Sequence, residues 1–176
     1  MVDSVVTVPI PTLPIIEATV SLERLSKACA QTYQQALPYP HIVLDDVFNQ
    51  TTLKHIAQEF PRPDAIEWNT FHNTHEVKLA STHESQIPPA TKFFLYQLNA
   101  STFLRFLEQL TGIPGLIPDP HFVGGGLHQI VPGGKLDVHA DFNKHPEWDL
   151  DRRLNLLIYL NEDWRDDYGG HLELWD

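Results

Sequence analysis

The residues of this sequence whose types and spacing most clearly indicate chemistry are His139 and Asp141, at the end of a predicted strand over residues 135–139. Side chains two positions apart in a strand point to the same side, so an imidazole and a carboxylate would lie next to each other. With a second histidine from elsewhere, these two groups form the facial triad that holds non-haem Fe(II) and leaves coordination positions open. A His-x-Asp pair on its own is more often a surface imidazole beside a solvated carboxylate.

The chain has ten histidines, and two of them could join this pair. His145 follows Asp141 by four residues, and a turn of the chain there would let His139, Asp141 and His145 bind Zn²⁺ as a hydrolase centre. His128 lies in the strand before the turn and could reach the same pocket, although a structural or surface role is favoured. The histidines of the polar segment 61–87 are expected to be solvated: His72, His75 and His83.

Apolar residues at helical spacing predict two helices and, after residue 90, either one broken helix or two consecutive ones, and two residues mark helix ends. Asn49 is a plausible N-cap, and Gly112 is a C′ glycine that ends the last helix. A short run rich in β-branched and aromatic residues also predicts a leading strand over 41–48. The predicted helices cover residues 21–36, 50–60, 91–98 and 101–110.

Glycine indicates where turns and strands begin, because all nine glycines lie between Gly112 and Gly170. The triplet at 124–126 predicts a place where the backbone passes close to another group. Helices followed by strands predict a sheet or barrel flanked by helices. Short strands are predicted over residues 122–131, 135–139, 153–160 and 171–175.

Composition and charge exclude several classes of protein. Twelve Lys and Arg against 23 Asp and Glu give a net charge of −11, which argues against a surface that follows nucleic-acid phosphates. Prolines interrupt the apolar run at residues 5–16, so it cannot be a membrane helix. One cysteine, Cys29, cannot form an intrachain disulfide. We therefore expect a soluble cytoplasmic protein with no nucleic-acid or membrane partner.

From Leu110 to its end, the chain resembles the 2-oxoglutarate/Fe(II)-dependent oxygenases of the prolyl 4-hydroxylase-like branch. The resemblance depends on a glycine turn before His-x-Asp, the strand pattern Arg-x-Leu-Asn-x-x-x-Tyr-Leu-Asn, a Trp three residues later, and Gly-Gly before an aliphatic strand that ends in Trp. It implies an α+β or mainly β fold, a double-stranded β-helix (jelly roll) with N-terminal supporting helices. The expected organisation is an extended Pro-rich tail over 1–20 and one oxygenase-like domain over 21–176. Within that domain, 21–118 form the helical support with the leading strand, and 119–176 form the first half of the jelly roll.

The resemblance also implies the site and its cofactors. His139 and Asp141 would be iron ligands, and Asn155, Leu157 and Tyr159 would bind 2-oxoglutarate, with the Tyr159 hydroxyl on its distal carboxylate. The period of two independently puts these three residues on one side of the strand over 153–160. A core role for Tyr159 is about equally consistent with the sequence. The cofactors would be Fe(II), with 2-oxoglutarate as cosubstrate, O₂, and ascorbate as a further candidate. The reaction would hydroxylate a C–H bond of a small-molecule or peptidyl substrate, with a prolyl residue as one candidate, while 2-oxoglutarate is converted to succinate.

The sequence departs from the family pattern after the His-x-Asp half of the motif. The family needs a second histidine and a basic residue downstream, and the chain shows no such pair after Asp141. We therefore expect an incomplete oxygenase that lacks its C-terminal strands and is inactive as the 176-residue chain. The alternative is a non-catalytic jelly-roll protein for binding or assembly that is derived from the family.

Overall fold

The helices of the first part of the chain follow the apolar spacing of the sequence. In a computed structural model that describes residues 13–81, 83–119, 121–123, 125–145 and 147–176, the predicted helices are present, and the last pair are two consecutive helices. The Asn49 side chain accepts a hydrogen bond from the N–H of Thr52 at 3.1 Å, and Gly112 ends the last helix with a φ of 74°. Both predicted caps are therefore confirmed. The helices are α1 (Leu22–Gln35), α2 (Gln50–Glu59), α3 (Pro89–Leu98) and α4 (Ser101–Thr111).

The described part of the predicted tail lies against the helices. Ile16 forms an isolated antiparallel bridge with Phe48, and the Thr52 hydroxyl donates to the carbonyl of Pro14 at 2.7 Å. The prediction of a strand over 41–48 is wrong. Among the described residues, this segment forms the single bridge at Phe48 and no continuous strand. Residues 1–12 of the tail lie outside the described residues, and the predicted domain boundaries stay a prediction.

The main hydrophobic core forms where the helices meet the segment after the predicted metal ligands. Its buried residues come from α2, α3 and α4, and they are 2–8% exposed. Ile158 and Leu160 pack against this core from the far end of the chain. The helical layer therefore anchors residues that are close in sequence to Asn155. The buried core residues are Ile56, Phe94, Leu98, Phe103, Phe106 and Leu110.

An antiparallel sheet is built around one strand, β2 (Glu76–Ser81). Strand β1 (Trp68–His72) pairs along one edge of β2 over five residue pairs. The other edge pairs with β3 (His128–Gln129) and then with β4 (Lys135–Leu136). Both short strands run antiparallel to β2 and follow each other along its edge, so they act as one strand that is interrupted. Residues 130–134 form a loop between its two parts.

The two sides of this sheet have opposite character. On one side, Trp68 and Leu79 pack in a second apolar cluster with Ile87 and Leu127. The register places Glu76, Lys78 and His128 on the other side, together with Phe71. Leu95 of α3 and Phe60 at the end of α2 pack against the apolar cluster, and the polar side is available to the segment that follows β4.

The strands predicted at the end of the chain are wrong in part or in full. The predictions over 122–131 and 135–139 reduce to the two-residue strands β3 and β4. Residues 153–160 and 171–175 form no strand, because a strand needs a neighbour for its backbone hydrogen bonds and they have none among the described residues. The fold shown is a mixed one of helices and antiparallel sheet, and the jelly roll stays a prediction. In the part of the chain described, each helix is too short or too polar to cross a bilayer.

Glycine is required where the looped-out segment rejoins the sheet. A Cβ on Gly134 would lie 2.6 Å from the carbonyl oxygen of Val77 and 2.8 Å from that of Val131. Gly126 is similarly confined, because its Cβ would lie 2.6 Å from Oγ of Ser81. The close approach predicted for the glycine triplet is confirmed at Gly126, and Gly124 lies outside the described residues.

Replacing Gly134 should destabilise the fold through this contact. We expect Gly134→Ala to lower the free energy of unfolding by about 1–3 kcal/mol, as measured by chemical denaturation. Gly125→Ala is the matched control, since its Cβ would meet the nearest atom at an ordinary 3.7 Å. Equal unfolding free energies for the two variants would contradict the close approach.

Candidate metal centre

The backbone after β4 delivers His139 in a fixed orientation. The N–H of Asp137 donates to the carbonyl of His75 at 2.8 Å, which continues the pairing with the β1–β2 hairpin. Nδ1 of His139 lies 2.8 Å from the carbonyl oxygen of Asp137. Because a carbonyl only accepts, Nδ1 carries a proton, and in the neutral ring Nε2 then keeps its lone pair. This is the tautomer that a histidine needs in order to bind a metal through Nε2.

Asp141 lies beside this lone pair with its two oxygens in different surroundings. Oδ1 is 3.5 Å from Nε2 of His139. Oδ2 accepts a hydrogen bond from Nδ2 of Asn155 at 3.0 Å and lies 3.4 Å from Nη2 of Arg152. One oxygen is therefore held by the chain, and the other faces the imidazole.

The spacing of the two donor atoms suits a divalent metal ion. Metal–ligand bonds of about 2.1 Å at a right angle put two donor atoms about 3.0 Å apart. The observed 3.5 Å needs only a small side-chain rotation, and both side chains are nearly half exposed, which leaves an approach for the ion. Among the described residues, no three His, Cys, Asp or Glu side chains are close enough together to hold a metal. The two donor atoms are spaced for two positions of a metal site, and their assignment as iron ligands stays a prediction.

His145 does not complete this site among the described residues. Its Nδ1 accepts hydrogen bonds from the N–H groups of Glu147 and Trp148, each at 3.1 Å, which places the ring proton on Nε2. Its ring stacks on Trp148 with centroids 4.4 Å apart and planes 7° apart. The zinc site of His139, Asp141 and His145 is therefore not formed among the described residues. Nδ1 of His145 accepts backbone hydrogen bonds, and its Nε2 carries a proton, so neither nitrogen is free to bind a metal.

The residues assigned to 2-oxoglutarate lie on one exposed side of the segment after Arg152. Asn155 is joined to Asp141 by its hydrogen bond. Leu157 is 50% exposed and Tyr159 is 62% exposed, and neither is tied to the pair by a hydrogen bond or ion pair between described residues. Their assignment to the cosubstrate stays a prediction.

The polar side of the sheet contributes charged groups near the pair. Nζ of Lys78 lies 3.0 Å from a carboxylate oxygen of Glu76 and 4.8 Å from the ring centre of Phe71. The hydrogen bond that Lys78 donates lowers the pKa of Glu76, and the charge of Lys78 acts in the same direction. Partial enclosure lowers the pKa of His128 below 6.5, and Lys78 lowers it further, although the residue keeps an exposed surface. Lys78 therefore makes the potential on this side of the sheet more positive.

Sequence reasoning missed two groups that shape the site. One is the carbonyl of Asp137, which any residue could supply, so no side-chain pattern points to it. The other is Arg152, whose guanidinium lies 4.5 Å from the ring centre of Phe142 and reaches Asp141. The sequence offered a signal for Arg152 in its place three residues before Asn155. In an ideal strand, residues three positions apart point to opposite sides, so the strand pattern did not predict that Arg152 and Asn155 would both contact Asp141.

The histidine on the sheet gives a direct test of this electrostatic environment. We expect His128 to titrate below its usual 6.5, because burial and Lys78 both disfavour its charged form. Lys78→Met should raise the pKa of His128 without restoring it fully, since burial is the larger cause. Two-dimensional NMR of the imidazole carbons measures both values.

Lys54→Met is the matched control for this titration, because Lys54 pairs with Glu162 elsewhere on the surface. It should leave the His128 titration unchanged. A His128 pKa at or above 6.5, or a fall on removal of Lys78, would contradict the arrangement of charges.

Comparison with known families bears on the last third of the chain. Residues 125–176 match the family model described as the 2OG-Fe(II) oxygenase superfamily. No curated protein and no solved structure matches the chain. The prolyl 4-hydroxylase-like branch stays a prediction. The segment that holds His139, Asp141, Arg152 and Asn155 is thus similar to the 2OG-Fe(II) oxygenases, which indicates an oxygenase activity of that general kind.

Proposed function

We propose that this protein acts as an Fe(II)- and 2-oxoglutarate-dependent dioxygenase that hydroxylates a C–H bond. The observation that carries the proposal is the pair of donor atoms: Nε2 of His139, with its lone pair free, 3.5 Å from Oδ1 of Asp141. The family match over the same residues supports it. A neutral imidazole and a carboxylate are two of the three ligands of the facial Fe(II) site.

The chain's own residues would bind and orient the iron. His139 would supply a nitrogen ligand whose direction is set by its hydrogen bond to the Asp137 carbonyl. Asp141 would supply one oxygen and a negative charge that offsets part of the charge of the dication. When bound, Fe(II) supplies open positions for 2-oxoglutarate and O₂, and the reaction yields succinate, CO₂ and a hydroxylated substrate. The third ligand would come from a residue outside this described cluster.

The cosubstrate would lie along the exposed side of residues 153–160. The Tyr159 hydroxyl would donate to the distal carboxylate, and Leu157 would contact the aliphatic part of the keto acid. Their high exposure supports this, because a side chain must be accessible before it can bind a ligand. In the proposed jelly roll, this segment becomes a strand when a neighbouring strand pairs with it.

The substrate would be a small molecule or a peptidyl residue, and a prolyl residue is one candidate. The net charge of −11 disfavours polyanionic substrates such as nucleic acids. Half exposure of the two ligands supports access for a residue presented on a larger chain.

A second candidate is a non-catalytic protein for binding or assembly that keeps His139 and Asp141. The observation in its favour is that no third metal ligand lies beside the pair among the described residues. The two candidates differ in what Fe(II) does to the protein. An iron enzyme is stabilised by the metal that it binds, and a relic site is not.

Anaerobic Fe(II) titration of the wild type and of His139→Ala separates the two candidates. For the enzyme, we expect Fe(II) to raise the Tm of the wild type and to leave that of His139→Ala unchanged. His171→Ala is the matched control, since His171 is exposed and follows the Gly169–Gly170 turn. If Fe(II) leaves the wild-type Tm unchanged, the iron site is rejected and the binding protein is favoured.

A further inference from the structure

Two residues beside the proposed iron site hold its carboxylate ligand. We propose that Arg152 and Asn155 are positioning residues that restrict Asp141 to one metal-binding oxygen, Oδ1. This inference rests on the proposed function and deepens it, because it assigns a role to residues that do not themselves touch the metal.

The two oxygens of Asp141 are distinguished by their partners. An ionised carboxylate has two acceptor oxygens, and both could bind one metal. Asn155 donates to Oδ2 at 3.0 Å, and Nη2 of Arg152 lies 3.4 Å from the same atom. Oδ1 is the atom that lies 3.5 Å from Nε2 of His139. A metal between the two ligands therefore meets Oδ1, while Oδ2 is already engaged.

Arg152 and Asn155, which both contact Oδ2 of Asp141, are also hydrogen-bonded to each other. Nη2 of Arg152 donates to Oδ1 of Asn155 at 3.1 Å, so Arg152, Asn155 and Asp141 form a closed triangle of polar contacts. The Arg152 guanidinium lies over the ring of Phe142, 4.5 Å from its centre, and the side chain is only 22% exposed. Because Arg152 polarises the amide of Asn155, the amide N–H becomes a better donor to Asp141.

One-oxygen ligation has a consequence for the chemistry. A carboxylate that binds through both oxygens takes two coordination positions, whereas one that binds through Oδ1 takes one. The keto acid and O₂ together need three open positions beside three protein ligands, so a second carboxylate oxygen on the metal would block one of them. Asn155 would therefore act on Asp141 through its amide and would not bind the cosubstrate.

The test is metal binding to the full 176-residue chain, with Mn²⁺ as a probe followed by electron paramagnetic resonance. Arg152→Gln and Asn155→Leu each remove one contact to Oδ2, and each should raise the Kd for Mn²⁺ about tenfold or more. Two matched controls should leave the Kd unchanged. Arg153→Gln removes the same charge one residue away, from an exposed arginine, and Asn161→Leu makes the same amide change at another exposed asparagine.

A second readout separates positioning from a general loss of stability. Bound Co²⁺ has visible absorption bands that depend on its coordination number, so they should change in Arg152→Gln and Asn155→Leu at saturating metal. The two control variants should keep the wild-type bands. Arg152→Lys keeps the charge without the planar fork, so its Kd should lie between those of the wild type and Arg152→Gln. If Arg152→Gln does not fold, the Kd of Arg152→Lys tests the positioning role in its place.

The outcomes distinguish this inference from the proposed function. Absence of Mn²⁺ and Co²⁺ binding in the wild type would reject the metal site itself. Binding that is lost in His139→Ala but unchanged in Arg152→Gln and Asn155→Leu, with unchanged Co²⁺ bands, would keep the metal site and overturn the positioning role.

Discussion

Strand β2 pairs on both edges, and the pairing on its second edge determines where the candidate ligands lie. The interrupted strand formed by β3 and β4 leaves the ladder after Gln129 and rejoins it at Lys135, opposite Val77. Sides alternate along a strand, so rejoining one residue earlier or later would turn every following side chain over. The close fit of Gly134 against the Val77 carbonyl occurs at the rejoining point. Its backbone contacts therefore help to set the side on which His139 emerges.

The division of the sheet into two sides explains how one small unit supports both a core and a polar site. Trp68 and Leu79 turn to the apolar cluster with Ile87 and Leu127, and burial of such side chains contributes about 1.5–3 kcal/mol each. Glu76, Lys78 and His128 turn the other way, where the charge of Asp141 acts on His128. Because the same strand pairing fixes the apolar and the polar side chains, packing in the apolar cluster also positions the polar groups near the candidate ligands.

The sequence predicted the parts of the structure that depend on neighbours in the chain. The helices, the Asn49 cap and the Gly112 end need only local spacing. A period of two predicts that His139 and Asp141 lie together, but both follow β4, which ends at Leu136, so an irregular segment brings them to 3.5 Å. The strand over 153–160 could not be predicted in the same way, because a strand exists only with a partner. The contact from Asn155 to Asp141 joins residues 14 positions apart across an irregular turn, so no local pattern encodes it.

The segment over 153–160 shows how a site residue can be placed without strand pairing. Ile158 and Leu160 pack against the helical core, while Leu157 and Tyr159, each one residue earlier, stay exposed. Alternation of this kind is what a strand in the wall of a pocket requires, with aliphatic side chains behind it and binding groups in front. Here the aliphatic contacts hold the segment even though its backbone is unpaired. The reach of Asn155 to Asp141 therefore depends on packing three to five residues further along the chain, on the opposite side of the segment.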